Sequence, residues 1–358
     1  MQLVAYGAQD IYLSGNPQIT FFKVVYRRHT NFAVESIEQT YNGSAATSSK
    51  ISVTVSRNGD LLSGVWIANT LIANADALAA TEAWANIDNV EVEIGGQVID
   101  KQYGAWMEIW TDLTHPSDKA ILLDNSLKAP ATVEGTSYLP LQFWFCRNPG
   151  LALPLIALQY HEVKLNITFS DKAVTTADNT QHLGSVAVWC DYIFLDTDER
   201  RRFAQVSHEY LIEQVQYSNK LTLDGANGQH ELRFNHPVKE LVWTASKSGS
   251  DITVTDALLQ LNGHDRFKRR DGKYFTKVQR YQHHSGSGDS LNSKPHVYSF
   301  ALKPEEHQPS GTCNFSRIDN AVLNLNYTAS SADTLKVYAV NYNVLRIMSG
   351  MGGLAYSN

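Results

Sequence analysis

The sequence is short of charge, of cysteine and of long apolar runs, and each shortage excludes a class of protein. Charged residues make up 18% of the 358 residues and the formal net charge is −6, so the whole chain is not suited to bind DNA or RNA directly. The basic N-terminal arm of a genome-packaging protein is also missing. No apolar run approaches the length that crosses a bilayer, and the first residues lack the pattern of a secretory signal.

The cysteines are too few and too far apart to organise the chain. There are three, Cys146, Cys190 and Cys313, and they form neither a CxxC metal pattern nor an even-numbered disulfide framework. We expect buried free thiols in a reducing compartment.

Motifs that carry catalysis or bind a cofactor are missing as well. The sequence contains no GxSxG, HExxH or GxxxxGK[ST], so we predict that the protein is not an enzyme and has no cofactor. The one adjacent histidine pair is His283-His284, and adjacent residues of a helix do not face one another. We therefore predict no metal site there or elsewhere.

What the sequence does contain is a long series of short strands. Its 17 Tyr, 13 Phe and 7 Trp favour strands, and runs such as Ile51–Ser56 alternate strictly between apolar and polar residues. Gly-containing turns separate them. Tyr138–Cys146 is predicted as one of these strands, and the Gly-rich end after Leu345 as a flexible tail.

Three segments are predicted as helices or helical turns. In Tyr103–His115, an aromatic and aliphatic stripe falls on one face at helical spacing, which is typical of plain core packing. Asp198–Ala204 is a short charged helix or turn that links two halves of the chain. A further helix covers about Gly272–His283.

The two halves are a tandem duplication. VEIGGQVIDKQYGAWMEIWTDLTH matches LQLNGHDRFKRRDGKYFTKVQRYQHH, which pairs Gly104 with Gly272 and His115 with His283. Because a catalytic residue is seldom duplicated without change, we interpret the two histidines as caps at helix C-termini. VWCDYIFL matches VYAVNYNVL in the same way.

Each half is thus a run of short strands with one helix inserted midway, and eight strands per unit is the jelly-roll count. We predict an all-β fold, a tandem double jelly roll of two antiparallel β-sandwiches with short inserted helices. The expected division is an N-terminal arm over residues 1–25, a first jelly roll over 26–200, a second over 201–345 and a C-terminal tail over 346–358.

Several polar clusters have a functional and a structural interpretation. The turn Glu305–Gln308 contains two acids and a histidine, but its counterpart Arg147–Gly150 has no such set, so we interpret it as a loop for packing and subunit contact. The basic stretch Arg266–Arg280 is a solvated face or a subunit contact rather than a nucleic-acid site. Asn-x-Ser/Thr sites occur at Asn42, Asn166, Asn314 and Asn326, and we expect none to be glycosylated without a secretory route.

Several stretches resemble the major capsid proteins of large icosahedral double-stranded DNA viruses, the nucleocytoplasmic group that includes algal viruses and iridoviruses. The clearest are GAQDIYLSGNPQITFFKVVYRRHTNFAVESIEQT, FALKPEEHQPSGTCNFSRIDNA and NYNVLRIMSGMGGLAYSN, and the resemblance runs in order from end to end. It departs in length, because this chain is short for the family.

The resemblance implies a structural protein that forms the outer shell of the virion as a homotrimer, in which six sandwiches make a pseudo-hexagonal capsomer. Its partners would be other copies of itself, minor capsid proteins and the inner viral membrane side, with no direct contact to nucleic acid. Assembly would occur in the cytoplasm of the host cell.

The arm is our candidate for contacts between subunits or on the membrane side, and its candidate residues are Pro17, Phe21, Phe22, Arg27 and Arg28. Two alternatives stay open from the sequence, a jelly-roll carbohydrate-binding protein and a minor capsid or vertex protein. In a carbohydrate-binding protein, aromatic side chains would line one sheet face.

Overall fold

The fold is that of a computed structural model, which describes residues 8–9, 30–70, 82–123, 136–171, 183–223, 227–247, 250–252, 254–286, 295–327 and 333–356. Strands dominate it, in agreement with the aromatic-rich, alternating sequence.

The N-terminal half contains two sheets. Its strands are β1 (Phe32–Gln39), β2 (Tyr41–Asn42), β3 (Lys50–Thr54), β4 (Leu61–Thr70), β5 (Ile87–Ile94), β6 (Gln97–Tyr103), β7 (Thr136–Pro140), β8 (Leu153–Pro154), β9 (Val163–Phe169) and β10 (Ser185–Leu195). Sheet 1 has the order β1-β10-β4-β7, with β8 also beside β4, and sheet 2 has the order β2-β3-β9-β5-β6. The helices of this half are α1 (Glu82–Ala85), α2 (Gly104–Thr114), α3 (Ser117–Leu122) and α4 (Trp144–Arg147).

Helix α5 (Thr197–Gln205) leads into the C-terminal half. The strands there are β11 (His208–Leu223), β12 (Asn227–Leu232), β13 (Pro237–Lys247), β14 (Ser250–Asp251), β15 (Val254–Leu261), β16 (His264–Asp265), β17 (Arg270–Asp271), β18 (His296–Ser299), β19 (Cys313–Asn314), β20 (Ala321–Tyr327), β21 (Asp333–Met348) and β22 (Met351–Leu354). Sheet 3 has the order β11-β21-β13-β14, with β18 and β19 beside β13 and β22 beside β21. Sheet 4 has the order β12-β20-β15-β16, with β17 beside β15.

The main strands of the two halves follow the same order. The order β1-β10-β4-β7 in sheet 1 corresponds to β11-β21-β13-β18 in sheet 3, and β3-β9-β5-β6 in sheet 2 corresponds to β12-β20-β15-β16 in sheet 4. All these pairs are antiparallel. Each half is therefore a jelly roll, and the predicted tandem double jelly roll is confirmed.

Each sandwich has its own apolar core. Alternate residues of sheets 1 and 2, such as Val65, Val188 and Leu165, fill the first core, and those of sheets 3 and 4, such as Val337 and Leu323, fill the second. Because side chains alternate across a strand, the residues between them point away from these cores. Residues on these outward faces are therefore the ones available for contact between the two halves.

The duplicated glycines mark equivalent close approaches of the backbone. A Cβ on Gly104 would lie 2.2 Å from the carbonyl oxygen of Ile87, the first residue of β5. A Cβ on Gly272 would lie 2.2 Å from the carbonyl oxygen of Val254, the first residue of β15. In both halves only glycine allows the start of the inserted helix to pass so near this strand.

The inserted helix itself differs between the halves. Helix α2 is regular, which confirms the prediction over Tyr103–His115. Its counterpart contains a π-helical turn, Tyr274–Val278, followed by α6 (Gln279–His283). The predicted helix over Gly272–His283 is thus confirmed, with a wider first turn.

Two predictions of local structure were wrong, and one strand was missed. Tyr138–Cys146 is not one strand, because β7 ends at Pro140 and Trp144 begins α4. Gln97–Tyr103 forms β6, a strand that the sequence did not predict. The supposed flexible tail contains β22, which pairs with the end of β21 from Leu345 to Met348.

Candidate functional site: the interface between the two jelly rolls

Helix α2 belongs to the first jelly roll by sequence but packs on the second. Four of its apolar residues contact the outward face of sheet 3 and form a separate core with it; they are Trp106, Ile109, Trp110 and Leu113. The Trp106 ring centroid lies 5.1 Å from that of Tyr338 in β21. The predicted stripe on this helix is therefore core, but it is the core between the two halves.

Strands β6 and β11 extend this interface with polar contacts. The Val215 backbone N–H donates to the Asp100 carboxylate at 3.1 Å, and the Gln214 side chain donates to the Ile99 carbonyl. Burial raises the pKa of Asp100 to about 6, although hydrogen bonds from Val215 and Gln102 act in the opposite direction. These bonds fix the edge of sheet 2 against the first strand of the second jelly roll.

A buried ion network lies beside them. The Glu213 carboxylate accepts from Arg147 at 2.8 Å, and the ammonium nitrogen of Lys239 lies 2.8 Å away on its other oxygen. His307 Nδ1 is 3.6 Å from the same oxygen. Burial alone would raise the pKa of Glu213, but the Lys239 charge, the His307 contact and Arg147 outweigh it and lower the pKa to about 2. Glu213 is therefore a carboxylate at neutral pH.

A β-bulge positions the basic partner. Val238 pairs with Asn341 and Glu240 with Val340, so Lys239 is the extra residue on β13. A bulge re-aims the side chains next to it. It lets Lys239 and Glu240, which are neighbours in sequence, both reach groups outside the core of the second sandwich.

Glu240 faces a histidine that two acids share. His284 Nε2 lies 3.1 Å from Glu240 Oε2, and His284 Nδ1 lies 3.1 Å from Glu305 Oε1. Burial alone would lower the pKa of His284, but Glu240 and Glu305 together raise it to about 9. A protonated His284 thus holds the Glu305 loop against β13, and Ser285 donates to Glu305 from its backbone N–H at 2.8 Å and from its hydroxyl at 2.7 Å.

The two inserted helices also meet directly. Arg280 of α6 donates to Asp112 of α2 at 2.7 Å, and both side chains are largely buried. The Gly286 N–H donates to the Leu113 carbonyl at 2.8 Å. The end of α6 is therefore tied to the end of α2.

The C-terminal hairpin returns to the first jelly roll. The Tyr160 N–H donates to the Gly350 carbonyl at 3.0 Å, and His161 Nδ1 lies 3.1 Å from the Gly352 nitrogen. A Cβ on Gly352 would lie 2.6 Å from Leu158 Cδ2. Both ends of the second jelly roll are thus joined to the first.

Comparisons with known proteins agree with this architecture. The family model for the N-terminus of the major capsid protein matches residues 20–196. The model described as the large eukaryotic DNA virus major capsid protein matches residues 199–252 and 245–353. The chain belongs to the major capsid protein family of large eukaryotic DNA viruses.

Relatives of this family are similar over their whole length. The chain is 54% identical to the major capsid protein of Pyramimonas orientalis virus, across 100% of this chain and 99% of that protein. It is 43% identical to that of Paramecium bursaria Chlorella virus 1, with the same coverage. The alignment with the Chrysochromulina ericina virus protein spans 583 positions, so the predicted shortness of this chain is confirmed.

Solved capsid structures share the fold. The quasi-atomic model of the PBCV-1 virus capsid is 40% identical in sequence, with a TM-score of 0.83 over 95% of this chain and 100% of that one. The faustovirus major capsid protein has a TM-score of 0.66 at 12% identity, over 96% and 95% of the two chains, and shows the fold alone. As a major capsid protein, the chain is a viral structural protein and a virion component.

For this capsid protein, the polar residues singled out in the sequence are structural. Glu305 contacts His284 and His307 contacts Glu213. Glu306 pairs at the surface with Lys303. His115 caps α2 as predicted, with its ring nitrogen 3.0 Å from the Thr111 carbonyl. The same interpretation was wrong for His283, whose ring contacts the Leu302 carbonyl instead.

Other sequence predictions have simpler outcomes. The cysteines of the described chain are free, and burial raises the pKa of Cys146 to about 12. Asn166 and Asn326 lie within β9 and β20. The arm residues Pro17, Phe21, Phe22, Arg27 and Arg28 lie outside the described residues.

The charged residues of the interface hold structural elements together and are not arranged around a ligand. Each ring nitrogen of His284 faces a carboxylate, so neither is directed at a shared ion. Among the described residues, no group of three or more His, Cys, Asp or Glu side chains is arranged to hold a metal. In the same part of the chain, no helix is long and apolar enough to span a membrane. No local pattern in the sequence pointed to Lys239, Glu240 or Glu213, because each contacts its partner only after folding.

Proposed function

We propose that the protein forms the icosahedral outer shell of a large double-stranded DNA virus as trimers with a pseudo-hexagonal outline. One observation carries the proposal: the chain holds two jelly rolls of the same strand order, joined by the core under helix α2 and by the buried Arg147–Glu213 ion pair. A trimer of such chains presents six nearly equivalent sandwiches. One protein can then tile a flat facet, because nearly equivalent edges make nearly equivalent contacts.

The partners in this proposal are other trimers, minor capsid proteins and the inner viral membrane side. Contacts within a trimer would be large, and those between trimers smaller. The net charge of −6 disfavours direct contact with the genome. Virion assembly would take place in the host cytoplasm.

The test is the mass and outline of the purified protein. We expect light scattering to give three times the mass of the 39.9 kDa chain, and negative-stain electron microscopy to show hexagonal particles. A monomer at every concentration, or a trimer with a triangular outline and no sixfold character, contradicts the proposal.

We also propose that the N-terminal arm, with Pro17, Phe21 and Phe22, and the arginines just after it, Arg27 and Arg28, make inter-subunit or membrane-side contacts. An apolar arm of this kind needs cover from another surface. Deletion of residues 1–25, which removes Pro17, Phe21 and Phe22, should reduce trimer mass or shell assembly. Unchanged trimer mass together with unchanged shell assembly contradicts this part of the proposal and leaves the trimer itself intact.

A further inference from the structure

Several large apolar side chains are exposed at the end of the chain where β11 begins and β21 ends. Tyr160 is 76% exposed, Val206 55%, Met351 51% and Met348 49%. Single apolar residues on a surface need no explanation, but a group of them marks a contact surface. We call these four residues the hairpin patch.

Contacts within the fold bring the patch together. Met348 and Met351 are partners across the turn between β21 and β22. The Tyr160 backbone N–H donates to the Gly350 carbonyl in that turn at 3.0 Å, and a Cβ on Gly350 would lie 2.6 Å from the Tyr160 ring. Val206 stands just before β11, whose first residue pairs with the end of β21. The four side chains therefore lie around one turn.

The chemistry of the patch suits aromatic partners. Ile347 is 2% exposed and belongs to the first core, so the next residue of β21, Met348, points away from that core. Methionine side chains are flexible, and their sulfur atoms make favourable contacts with aromatic rings. The patch thus offers two thioethers with the Tyr160 ring beside them. A segment that carries aromatic residues can bury all three.

The N-terminal arm enters the fold at the same end. Strand β1 begins at Phe32, which pairs with Leu195 at the end of β10. Helix α5 begins two residues after Leu195, and its nine residues cover about 14 Å before Val206. Phe22 precedes Phe32 by ten positions, and ten extended residues span up to about 35 Å. Phe21 and Phe22 can therefore reach the patch of their own chain.

Charge favours the same placement. The apolar end of the arm, residues 19–25, is followed by Arg27 and Arg28. Asp196 and Asp198, at the start of α5, are exposed directly after the end of β10. Because β1 and β10 are antiparallel, the residues that precede β1 emerge beside those that follow β10. Two basic residues are thus placed near two acids, within the range over which opposite charges attract.

We propose that residues 19–25 of the arm run along α5 as an extended segment and cover the hairpin patch of the same chain. The two phenylalanines of the arm pack on the two methionines of the hairpin, and the two arginines that follow the arm face the acidic start of α5. The outer side of the arm stays available to other partners. The inference goes beyond the proposed function, which leaves open what the arm covers in its own chain, and it does not depend on the trimer.

Oxidation by hydrogen peroxide, followed by mass spectrometry, tests whether the methionines are covered. We expect Met348 and Met351 to be oxidised about five-fold more slowly in the full chain than in a chain that lacks residues 1–25, since oxidation follows exposure. Met107 is fully buried and reports on the fold, because it stays unoxidised while the core is intact. Equal rates in the two chains, with Met107 protected, overturn the proposal.

Full-length variants repeat the measurement without shortening the chain. The double variant Phe21→Asn, Phe22→Asn should speed oxidation of both hairpin methionines, and an unchanged rate overturns the proposal. Asp198→Lys should act in the same direction by a smaller factor. Asp118→Lys makes the same change in the first turn of α3 and should have no effect. Equal effects of the two aspartate variants overturn the charge contact.

Photo-crosslinking separates cover by the chain's own arm from cover by another copy. Benzoylphenylalanine replaces Met351 in the full chain, and the same probe at Ile121, which is 58% exposed on α3, is the control. In a mixture of isotopically light and heavy chains, we expect adducts from position 351 to residues 19–25 of the same chain, and none from position 121. Adducts to the arm of another copy, or to other surfaces, overturn the proposal. Trimer mass by light scattering is measured separately, so failure of this contact leaves the trimer standing.

Discussion

The ammonium nitrogen of Lys239 lies 2.8 Å from a carboxylate oxygen of Glu213, and the Lys239 side chain is entirely buried. The two residues come from β13 and β11, and Arg147 brings a residue of the first jelly roll to the same carboxylate. A buried charge of this kind is tolerated only while its partners are in place. The joint between the jelly rolls therefore depends on a small number of side chains.

Lys239→Met should destabilise the fold by about 3 kcal/mol, at the lower end of the cost of breaking a buried ion pair, because Arg147 still faces Glu213. Chemical denaturation followed by tryptophan fluorescence measures the free energy of unfolding. Lys303→Met is the matched control, since Lys303 pairs with Glu306 at the surface. A loss of the same size in both variants would show that the buried position is unimportant.

The stability of the protein should fall as the pH rises through 9. The pKa of His284 is raised from 6.5 to about 9 in the folded protein, so its protonated form stabilises the fold. This stabilisation is complete below pH 6.5 and is lost as the pH rises through about 9; its full size is on the order of 3 kcal/mol.

The measurement is the free energy of unfolding at several values between pH 6 and 10, for the native chain and for His284→Gln. We expect the variant to be less stable at pH 6 and to lose the slope between pH 7 and 9. An identical slope in the two proteins would assign this pH dependence to other groups.

The contact between α2 and sheet 3 should contribute a large part of the free energy that holds the two halves together. Leu113→Ala removes a fully buried side chain from that core and should cost about 2–5 kcal/mol. Ile121→Ala, in the next helix and 58% exposed, is the control and should change the free energy of unfolding little. If Leu113→Ala is equally mild, the core between the halves is not well packed.

Gly104→Ala and Gly272→Ala should both destabilise the protein, by about 1–3 kcal/mol or more. Each new methyl group would meet a backbone carbonyl oxygen at 2.2 Å, which a side-chain rotation cannot relieve. Gly150→Ala is the control, because its Cβ would lie 3.3 Å from the Asn148 side chain. Thermal melting measures all three, and a tolerated Gly104→Ala would contradict the equivalence of the two glycines.

The sequence predicted the double jelly roll because its information is local and repeated. Strands that alternate as Ile51–Ser56 does, and the spacing from Gly104 to His115, recur in both halves. The prediction for each half is therefore supported by the other. The ends of some elements were not predicted. Strand β6 was missed because it is polar and directly follows a Gly-Gly turn. Strand β7 ends at Pro140, although the run of strand-forming residues continues to Cys146.

The buried ion pairs of Glu213 and His284 could not be predicted from the sequence. Lys239 is buried by a bulge, and a bulge depends on pairing with β21, a strand far along the chain. Glu305 and His307 drew attention as possible chemistry, yet their roles appear only once His284 and Glu213 are beside them. Long-range contacts of this kind have no local pattern.

The position of α2 also has a consequence for synthesis. On the ribosome the first half emerges before Val215, Val242 and Tyr338, the residues of the second half that share a core with Trp106, are translated. Until β21 is made, the nascent chain displays an apolar helix that other molecules can bind. Completion of the second half therefore buries this apolar surface, so that folding of the whole chain, rather than of its first half, ends its exposure.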